Sequence, residues 1–432
     1  MNVLHLSSYD INGGAARAAY RLHQGLQVNG VQSQMYVQEK FSGDRSVVGP
    51  SVSLMQGFAR SKMTLDILPL KLLYRQWQRS DPFSLQWLPD RARTPINRLH
   101  PDVINLHWIG AGFIQPQTLA QIRQPLVWTL HDMWTFTGGC HYSGDCDRYR
   151  ESCGSCPALH SHSEQDITRH LWRAKNKAWS DINLTIVSPS EWLAKSAASS
   201  SLLSTARIEV IPYGLDTQVY RPIPQHFARS LLQLPTDKTL LLFGAMNATS
   251  DQRKGFHLLQ PALQKLSQSG WGDRLELVVL GASSPERPQD LGFKVHYLGK
   301  LSDDLSLAVT YSAIDAVAVP SLQDNLPNVI LEAMSCGSPC IGFNLGGIPD
   351  MIEHQVNGYL VQPFSVEDLA TGIAWVLGDK DRTQNLSQRA RAKIELAFNL
   401  ELQAHRYQSL YQELLAASNG NLSNSSFRKT ER

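Results

Sequence analysis

The sequence predicts an α/β protein built from two doubly wound domains, and three observations carry this prediction. Ten short runs are rich in aliphatic residues, several almost without a polar residue, as expected of parallel strands covered on both faces. Segments with helical periodicity lie between them, and alternating strands and helices form parallel sheets through right-handed crossovers. With 432 residues, of which 42% are apolar, the chain is long enough for two or three domains with buried cores.

The predicted elements fall into two series, one in each half of the chain. The first half has predicted strands at residues 3–7, 103–107, 126–131, 184–188 and 208–212, and a predicted helix at 15–28. The second half has predicted strands at 239–244, 275–281, 294–298, 316–320 and 340–343, and predicted helices at 256–268, 303–312, 328–335 and 366–377. Gly214, Pro222 and Pro224 interrupt any regular element between the two series.

These glycine and proline residues predict the domain boundaries. An N-terminal domain at 1–213 and a C-terminal domain at 214–398 are expected to face each other across a cleft at the carboxyl ends of their strands, where α/β folds bind ligands. A terminal helix at 399–417 is expected to pack back on the N-terminal domain. The Ser- and Asn-rich segment 418–432 lacks apolar spacing, so we expect it to be disordered.

Composition and charge narrow the range of partners. Forty basic and thirty-eight acidic residues leave a net charge of +2, so no global field attracts nucleic acid and no such partner is expected. No apolar run approaches the roughly 20 residues that cross a bilayer. The first ten residues have neither the basic region nor the long apolar core of a signal peptide. The sequence therefore predicts a cytoplasmic protein.

Two motifs in the first half follow predicted strands. Gly13 and Gly14 lie between a strand and a helix, where glycine lets the backbone approach an anion; a plain turn is the alternative. The pair lacks the full dinucleotide fingerprint, which argues against a nucleotide-cofactor oxidoreductase. His131, followed by Asp132, ends another strand and could hydrogen-bond a substrate hydroxyl or transfer a proton. A structural, hydrogen-bonded histidine is the alternative there.

Two adjacent cations in the second half are candidates for binding phosphate. Arg253 and Lys254 follow a strand-end glycine turn and directly precede a predicted helix. Arginine supplies a bidentate fork and lysine a compact point charge, so together they could clamp a diphosphate. A solvated basic pair in a loop is the alternative.

The segment 320–337 combines a strand end, a polar loop and a short helix. Pro327 suits the first position of the helix, and Gly337 suits its C-terminal cap. Asp324 in the loop and Glu332 on the helix can both face one ligand. We expect Asp324 to contact sugar hydroxyls and Glu332 to bind a ribose diol, because two hydroxyls match the two acceptor oxygens of a carboxylate. A capping role for Asp324 and a surface position for Glu332 are the alternatives.

Four of the six cysteines, Cys140, Cys146, Cys153 and Cys156, lie in one Gly- and Asp-rich loop just after His131. In a reducing compartment such a cluster is typical of a structural tetrahedral zinc site, although only the last two cysteines have the tight CxxC spacing. Two disulfides or free thiols are the alternatives. Because of its position, the loop could shape a pocket next to His131.

A basic segment with interleaved apolar residues lies at 60–98. Eight Lys and Arg residues outnumber three Asp residues there, and Trp77, Trp87 and several leucines lie among them. This composition suits peripheral contact with an anionic membrane. A core-packed helix with a solvated basic face is the alternative.

Taken in order along the chain, these motifs resemble those of retaining glycosyltransferase family 4, which has the GT-B fold. The resemblance is strongest to members that assemble exopolysaccharides such as colanic acid, and it covers about residues 1–414. The acids of the segment 320–337 match the acid-x7-acid motif of the family, with Asp324 at a position that is often Glu. Further matches are the Gly13–Gly14 loop, the Arg253–Lys254 pair, and the segments 210–216, 346–350 and 357–358.

The resemblance implies a retaining enzyme that moves a sugar from a nucleotide-diphosphate sugar to a glycan or lipid-linked acceptor, in polysaccharide or glycoconjugate biosynthesis. It implies a catalytic centre with His131 and Asp324, and a donor site formed by Gly13, Gly14, Arg253, Lys254, Asn325, Leu326 and Glu332. No cofactor is expected to be required for catalysis. A non-catalytic module of the same fold that binds sugar nucleotides or glycans is the alternative.

Overall fold

The computed structural model describes residues 1–50, 53–77, 82–244, 251–281 and 290–427. The chain divides into two compact units. Unit 1 comprises Met1–Gly214 and Glu401–Arg432, and unit 2 comprises Leu215–Leu400. Each unit contains one parallel sheet flanked by helices, so the predicted α/β architecture with two doubly wound sheets is confirmed.

The sheet of unit 1 has seven strands in the order β3-β2-β1-β4-β5-β6-β7, and each strand is parallel to its neighbours. The strands are β1 (Asn2–Tyr9), β2 (Gln32–Glu39), β3 (Val47–Val48), β4 (Val103–Leu106), β5 (Leu126–Thr129), β6 (Leu184–Ser188) and β7 (Arg207–Val210). The order of the strands reverses between β1 and β4. Ligands of open α/β sheets bind beyond the carboxyl ends of the strands at such a point.

In the described part of unit 1, the α-helices between these strands are α1 (Gly14–Val28), α2 (Ser53–Asp66), α3 (Leu68–Leu73), α4 (Arg93–Leu99), α5 (Pro116–Leu119), α6 (Ile167–Trp179) and α7 (Glu191–Ala198). The sheet is buried on both faces, and successive residues of a strand join different cores. Val127, for example, packs in one hydrophobic cluster, whereas Leu126 and Trp128 pack in another. This two-sided burial explains the nearly continuous apolar strands of the sequence.

Unit 2 repeats the plan with six strands in the order β10-β9-β8-β11-β12-β13, again all parallel. The strands are β8 (Thr239–Gly244), β9 (Leu275–Leu280), β10 (Val295–Gly299), β11 (Ala316–Val319), β12 (Cys340–Phe343) and β13 (Gly358–Val361). The helices are α8 (Gln225–Leu231), α9 (Phe256–Leu266), α10 (Asp304–Ala313), α11 (Asn328–Ser335), α12 (Ile348–Met351), α13 (Val366–Leu377) and α14 (Lys380–Ala397). The strand order reverses between β8 and β11.

The last helix, α15 (Leu400–Phe427), brings its first half into the core of unit 1. Tyr407 and Tyr411 are fully buried, and their hydroxyls lie 2.8 Å from Thr129 Oγ1 and Asn105 Nδ2 on the sheet. The structure continues this helix through residues 418–427, where the sequence predicted disorder. Between Leu400 and Phe427 the chain contains no proline, so no residue forces an earlier end. Residues 428–432, the rest of the predicted tail, lie outside the described residues.

Among the described residues, no helix has both the length and the apolar character needed to cross a bilayer.

Candidate functional site

In unit 2, a pocket of about 260 Å³ lies where the order of the strands reverses. Its walls come from the end of β8, the end of β11 and the start of the segment after β11. Lys254 is the charged residue in its lining, and Ser321 adds a polar side chain. Residues 245–250, which follow β8 and were included in the predicted strand-end turn, lie outside the described residues. The predicted basic pair is thus positioned at the ligand-binding edge of the sheet.

A single helical turn, Gln252–Lys254, presents the two cations. The Asp251 carboxylate caps this turn by accepting a hydrogen bond from the Arg253 backbone N–H at 3.0 Å. The Arg253 carbonyl accepts one from the Leu322 N–H at 2.8 Å, which ties the turn to the segment after β11. The backbone that carries both cations is therefore held on two sides.

Asp324 pairs with both cations. Its Oδ2 lies 2.7 Å from Lys254 Nζ and 3.8 Å from Arg253 Nη1. Burial of the Asp324 carboxyl opposes its ionisation, but Lys254 and Arg253 outweigh burial and hold its pKa below the ordinary value. At neutral pH Asp324 is therefore an anion that orients two cations, and it is not poised to act as an acid.

Glu332 is buried on α11, facing α10. The Tyr311 hydroxyl donates a hydrogen bond to Glu332 Oε2 at 3.1 Å. Burial, with a smaller contribution from the charge of Glu332, raises the pKa of Tyr311 well above its ordinary value, so the hydroxyl remains a donor. The surface position considered for Glu332 is wrong, because the helix turns this side chain inward.

Asn325 and Leu326, the two predicted donor-binding residues after Asp324, are also buried. The Asn325 backbone N–H donates to the Asp324 carboxylate. The Gly347 N–H donates to the Asp324 carbonyl at 3.1 Å, which brings the loop after β12 against this segment. Gly346 in that loop has φ +59°, and a Cβ there would lie 2.2 Å from the same carbonyl, so the close approach requires glycine.

Gly255 gives a direct test of how the basic turn is positioned. It has φ +74°, and an added Cβ would lie 1.8 Å from the Pro320 carbonyl oxygen, so we expect Gly255→Ala to push the Arg253–Lys254 turn away from β11. The variant should lose at least about tenfold in kcat/KM. Gly270→Ala is the matched control, because Gly270 has a similar φ of +83° but no atom within 4 Å of its Cβ. Equal activity of the two variants would contradict this account of the turn.

In unit 1, a second pocket of about 220 Å³ lies at the carboxyl ends of β4 and β5. His131, Asp132, His141 and Trp108 are among its lining residues. The strand β5 ends at Thr129, two residues before the predicted end, so His131 lies in the loop beyond it. Asp132 Oδ2 accepts hydrogen bonds from His141 Nδ1 at 2.6 Å and from Trp108 Nε1 at 2.9 Å.

His131 belongs to a buried chain of four hydrogen-bonded rings. Its Nδ1 lies 2.6 Å from the Tyr213 hydroxyl, and its Nε2 lies 3.0 Å from His107 Nδ1. His107 Nε2 in turn lies 2.9 Å from Nδ1 of His5 in the middle of β1. Burial lowers the pKa of His131 to about 4, with Asp132 opposing the shift, so the ring is neutral at pH 7. A neutral ring of such low pKa suits hydrogen bonding better than proton abstraction at neutral pH.

Buried histidines, among them His131 and also His23 on α1, make the free energy of unfolding of unit 1 depend on pH. Burial lowers the pKa of both His131 and His23 to about 4 in the folded protein, whereas an unfolded histidine binds a proton near pH 6.5. We therefore expect each to leave the free energy of unfolding unchanged above pH 6.5 and to lower it by about 3 kcal/mol as the pH falls towards 4. Urea unfolding of wild type and His23→Gln between pH 7.5 and 4.5 measures the difference. If the free energies of unfolding of the two proteins changed with pH in the same way, the low pKa assigned to buried His23 would be contradicted.

Gly13 occupies the turn between β1 and α1 that the sequence predicted. Its φ is +101°, and its carbonyl accepts the first hydrogen bond of the helix, from the Arg17 N–H at 3.0 Å. Nothing lies within 4 Å of an added Cβ, so open space surrounds the turn. Gly14 is the first residue of α1. The structure brings the glycine pair to the carboxyl end of β1, next to the point where the strand order of unit 1 reverses.

The four loop cysteines line one pocket of about 300 Å³, and all four are free thiols. In the described part of the chain, no group of three or more His, Cys, Asp or Glu side chains stands in an arrangement that could hold a metal ion. The cysteines thus share a pocket, but their sulfur atoms do not converge on one point. Cys336 and Cys340 are buried in unit 2.

Sequence reasoning missed several residues that hydrogen-bond around the candidate site residues. Tyr311, His107 and His5 form the hydrogen bonds described above, and none was singled out. A signal existed for the two histidines, because a titratable ring inside an apolar strand such as β1 needs a partner. No comparable signal marks Tyr311, whose role depends on how α10 packs against α11.

Comparison with known proteins decides the family. A family model described as Glycosyltransferase Family 4 matches residues 12–219, and one described as Glycosyl transferases group 1 matches residues 237–379. The chain is a member of this glycosyltransferase family. It is therefore an enzyme, and the resemblance inferred from its motifs is confirmed. An oxidoreductase and a non-catalytic binding module, the two other functions considered, find no support in these matches.

Similar proteins agree with this assignment. The chain is 25% identical over 355 residues to the putative colanic acid biosynthesis glycosyl transferase WcaC of Escherichia coli K12, covering 79% of this chain and 82% of that protein. It is 30% identical over 228 residues to a D-inositol 3-phosphate glycosyltransferase of Saccharomonospora viridis, covering 49% of this chain and 52% of that protein.

Solved structures of glycosyltransferases share the fold. Sucrose-phosphate synthase of Thermosynechococcus elongatus superposes with a TM-score of 0.70 at 19% identity, covering 96% of this chain and all of that one. Anabaena HepE in complex with UDP and glucose gives a TM-score of 0.61 at 18% identity, covering 95% and 99% of the two chains. The glycosyltransferase therefore has the predicted GT-B fold.

Proposed function

We propose that this glycosyltransferase transfers a sugar, with retention of its anomeric configuration, from a nucleotide-diphosphate sugar to a glycan or lipid-linked acceptor. The observation that carries the proposal is the pair of cations, Arg253 and Lys254, held at the pocket where the strand order of unit 2 reverses. WcaC, which is similar over most of this chain, is named as a putative glycosyl transferase of colanic acid biosynthesis. We therefore infer a role in polysaccharide or glycoconjugate assembly.

The chemistry that this pocket must supply follows from charge. Cleavage of the anomeric bond leaves negative charge on the departing diphosphate, and a buried cation stabilises that charge more than water does. In the absence of donor, Asp324 forms ion pairs with Lys254 and Arg253, and these ion pairs keep both cations ordered near the pocket. A diphosphate that binds there competes with Asp324 for their hydrogen-bond donors.

We assign the nucleoside end of the donor to Glu332. Its buried carboxylate can accept two hydroxyl donors, as a ribose diol requires. The hydrogen bond from Tyr311 fixes one carboxylate oxygen and so orients the other. HepE, with the same fold, is described in complex with UDP and with UDP-glucose, which supports a nucleotide-sugar donor for this chain.

We assign contact with a glycosyl hydroxyl to His131 in the pocket of unit 1. The neutral ring would exchange its hydrogen bond to Tyr213 for one to the sugar. Gly13 and Gly14 are proposed to contact the donor phosphates or the acceptor, since the open space around Gly13 admits a ligand close to the backbone.

Retention is inferred from the family resemblance and from the state of the two carboxylates. Asp324 is ion-paired with Lys254, and Glu332 accepts from Tyr311, so neither is presented as a nucleophile. We propose that the acceptor attacks from the side on which the diphosphate leaves, and that a diphosphate oxygen takes the proton of the acceptor hydroxyl. No metal is assigned to this step.

The experiment that tests the proposed function is a screen of UDP-, GDP- and ADP-sugars with the full chain. We expect one nucleotide class to raise the melting temperature and to be hydrolysed slowly or transferred. The anomeric configuration of the product, read by NMR, tests retention. If no nucleotide sugar binds or turns over, the proposed function is wrong.

For the acceptor, we propose a lipid-linked glycan reached from an anionic membrane surface. Leu72 and Leu73, the last two residues of α3, are each more than two-thirds exposed, whereas Leu70 is buried. Arg60 and Lys71 are exposed nearby in sequence. Exposed leucines with basic neighbours suit the surface of an anionic bilayer. Residues 78–81 of the predicted basic segment lie outside the described residues.

Vesicle binding tests this membrane contact. We expect the protein to sediment with vesicles that contain phosphatidylglycerol and not with pure phosphatidylcholine vesicles. The double variant Leu72→Ser/Leu73→Ser should lose most of this binding, whereas Leu396→Ser, at an exposed leucine of unit 2, should retain it. Equal binding by the two variants would remove the proposal.

A further inference from the structure

The pocket lined by Cys140, Cys146, Cys153 and Cys156 in unit 1 has features that free thiols do not need. Between Cys153 and Cys156 the backbone turns through three consecutive residues of positive φ: +49° at Cys153, +98° at Gly154 and +41° at Ser155. Two of these are not glycine, so the turn stores strain. Strain of this kind persists only where the surroundings fix it, and it is concentrated at functional sites.

The surroundings of this turn do fix it. The Cys156 N–H donates to the Asp166 carboxylate at 2.9 Å, and the Gly154 N–H donates to Thr168 Oγ1 at 3.0 Å. A Cβ on Gly154 would lie 2.5 Å from the Glu164 carbonyl oxygen. The start of α6 therefore clamps the CxxC turn in one conformation.

Backbone N–H groups are directed at two of the sulfur atoms. The Gly138 N–H donates to Cys153 Sγ at 3.1 Å. The N–H groups of Ala158 and Leu159 donate to the Cys156 thiol. Backbone N–H groups directed at sulfur are typical of the outer shell that orients metal-binding cysteines.

A buried cation lies beside the same pocket. Lys175 on α6 is fully buried; its ammonium donates to the Thr137 carbonyl at 3.0 Å and to the Trp134 carbonyl, and it lies 3.5 Å from the centroid of the Trp134 ring. It forms no ion pair with a carboxylate of the described residues. A buried ammonium without a counter-ion is costly, so its position calls for negative charge in the pocket.

We propose that the four cysteines bind one Zn²⁺ ion as a tetrahedral structural centre, and that Lys175 supplies the counter-charge. Binding takes four thiolates, so four protons pass to solvent and the centre carries a net charge of −2, which the lysine ammonium offsets in part. Zinc binding requires the cysteine side chains to rotate until their sulfur atoms meet at one point, and the clamped CxxC turn holds the backbone of two of the four ligands in place.

The zinc centre would stabilise the pocket that contains His131. Thr137 Oγ1 donates to the Cys140 carbonyl at 2.6 Å, and the Met133 N–H donates to the His141 carbonyl at 2.9 Å. The cysteine loop is thus tied to the segment that carries His131 and Asp132. The proposal does not depend on the substrate of the enzyme, because metal content is measured without a donor or acceptor.

Metal analysis of the full chain, purified without chelator, tests the proposal. We expect about one zinc per chain, and in the cobalt-substituted protein the visible absorption of a tetrahedral thiolate complex. Cys153→Ser and Cys156→Ser should each lose the metal, whereas Cys336→Ser and Cys340→Ser, at the buried cysteines of unit 2, should retain it. Lys175→Met should weaken zinc binding about tenfold or more, and Lys177→Met, at an exposed residue of the same helix, should not.

Two results would overturn the proposal. One is protein without stoichiometric zinc that also takes up none when zinc is added to the reduced chain. The other is a pair of disulfides among the four cysteines, seen as a mass four units lower under non-reducing conditions. Because a Cys→Ser variant that fails to fold would also lose metal, the melting temperature of each variant is measured, and the wild-type titration decides alone if the variants do not fold.

Discussion

Replacing Lys254 by alanine is expected to lower kcat/KM for the nucleotide sugar by about a hundredfold. The ammonium lines the pocket at the end of β8 and β11 and is the cation closest to Asp324, so its loss removes charge stabilisation of the leaving diphosphate. Removal of one such preorganised contact costs about 3 kcal/mol of transition-state stabilisation. Steady-state kinetics on the donor identified by the nucleotide-sugar screen measures the change.

The control for this variant is Lys265→Ala. Lys265 lies on α9 in the same unit and forms an exposed ion pair with Glu367, so its removal should leave the kinetics unchanged. Melting temperatures separate a catalytic defect from loss of fold, since Lys254→Ala also leaves the buried Asp324 with one cation fewer. Near-wild-type kinetics for both Lys254→Ala and Arg253→Ala would refute the diphosphate assignment.

Glu332→Gln is expected to weaken nucleotide binding by about tenfold or more while kcat changes little. The substitution keeps the size of the side chain and an oxygen that can accept from Tyr311, but it removes the negative charge that strengthens hydrogen bonds from a ribose. Binding of the nucleoside diphosphate and of inorganic pyrophosphate is compared by calorimetry. Only the nucleoside diphosphate should bind more weakly, because pyrophosphate has no ribose.

Two outcomes would contradict the ribose assignment. One is equal weakening of pyrophosphate and nucleoside diphosphate binding, which would place Glu332 among residues that only support the fold. The other is unchanged binding of both ligands. Glu353→Gln is the control, because Glu353 forms a partly exposed ion pair with Lys393 in the same unit.

The strands buried on both faces were the easiest elements to predict. The bounds of β6, β8 and β12 are those expected from their apolar runs. Strand β2 was missed because its buried residues Met35 and Val37 alternate with polar ones, as in a strand near the edge of a sheet. Helix α14 was missed for a related reason: only Leu386, Ala390 and Ile394 are buried, one residue per turn on a polar helix.

The candidate site was predicted residue by residue, but not as a set of contacts. Asp324 was expected to contact sugar hydroxyls, and the structure shows in addition an ion pair with Lys254 that was not expected. These two residues are 70 positions apart, and they meet only because β8 and β11 are neighbours in the sheet. The periodicity and spacing of residues do not predict that β8 and β11 are neighbours, because this depends on which strands pair in the folded sheet.

The ring chain around His131 shows the same limit. The sequence marked His131 by its position at a strand end, but its partners His107 and Tyr213 come from other segments of unit 1. The low pKa of His131 follows from burial. Burial in turn depends on the packing of the whole sheet, which a local motif does not describe.

A crystal structure of the full chain with its nucleotide-sugar donor tests the central claim most directly. The account predicts that diphosphate oxygens lie within hydrogen-bonding distance of Lys254 Nζ and the Arg253 guanidinium, in the pocket between the ends of β8 and β11. A well-ordered donor whose diphosphate lies elsewhere, with the ion pair between Lys254 and Asp324 unchanged, would contradict it.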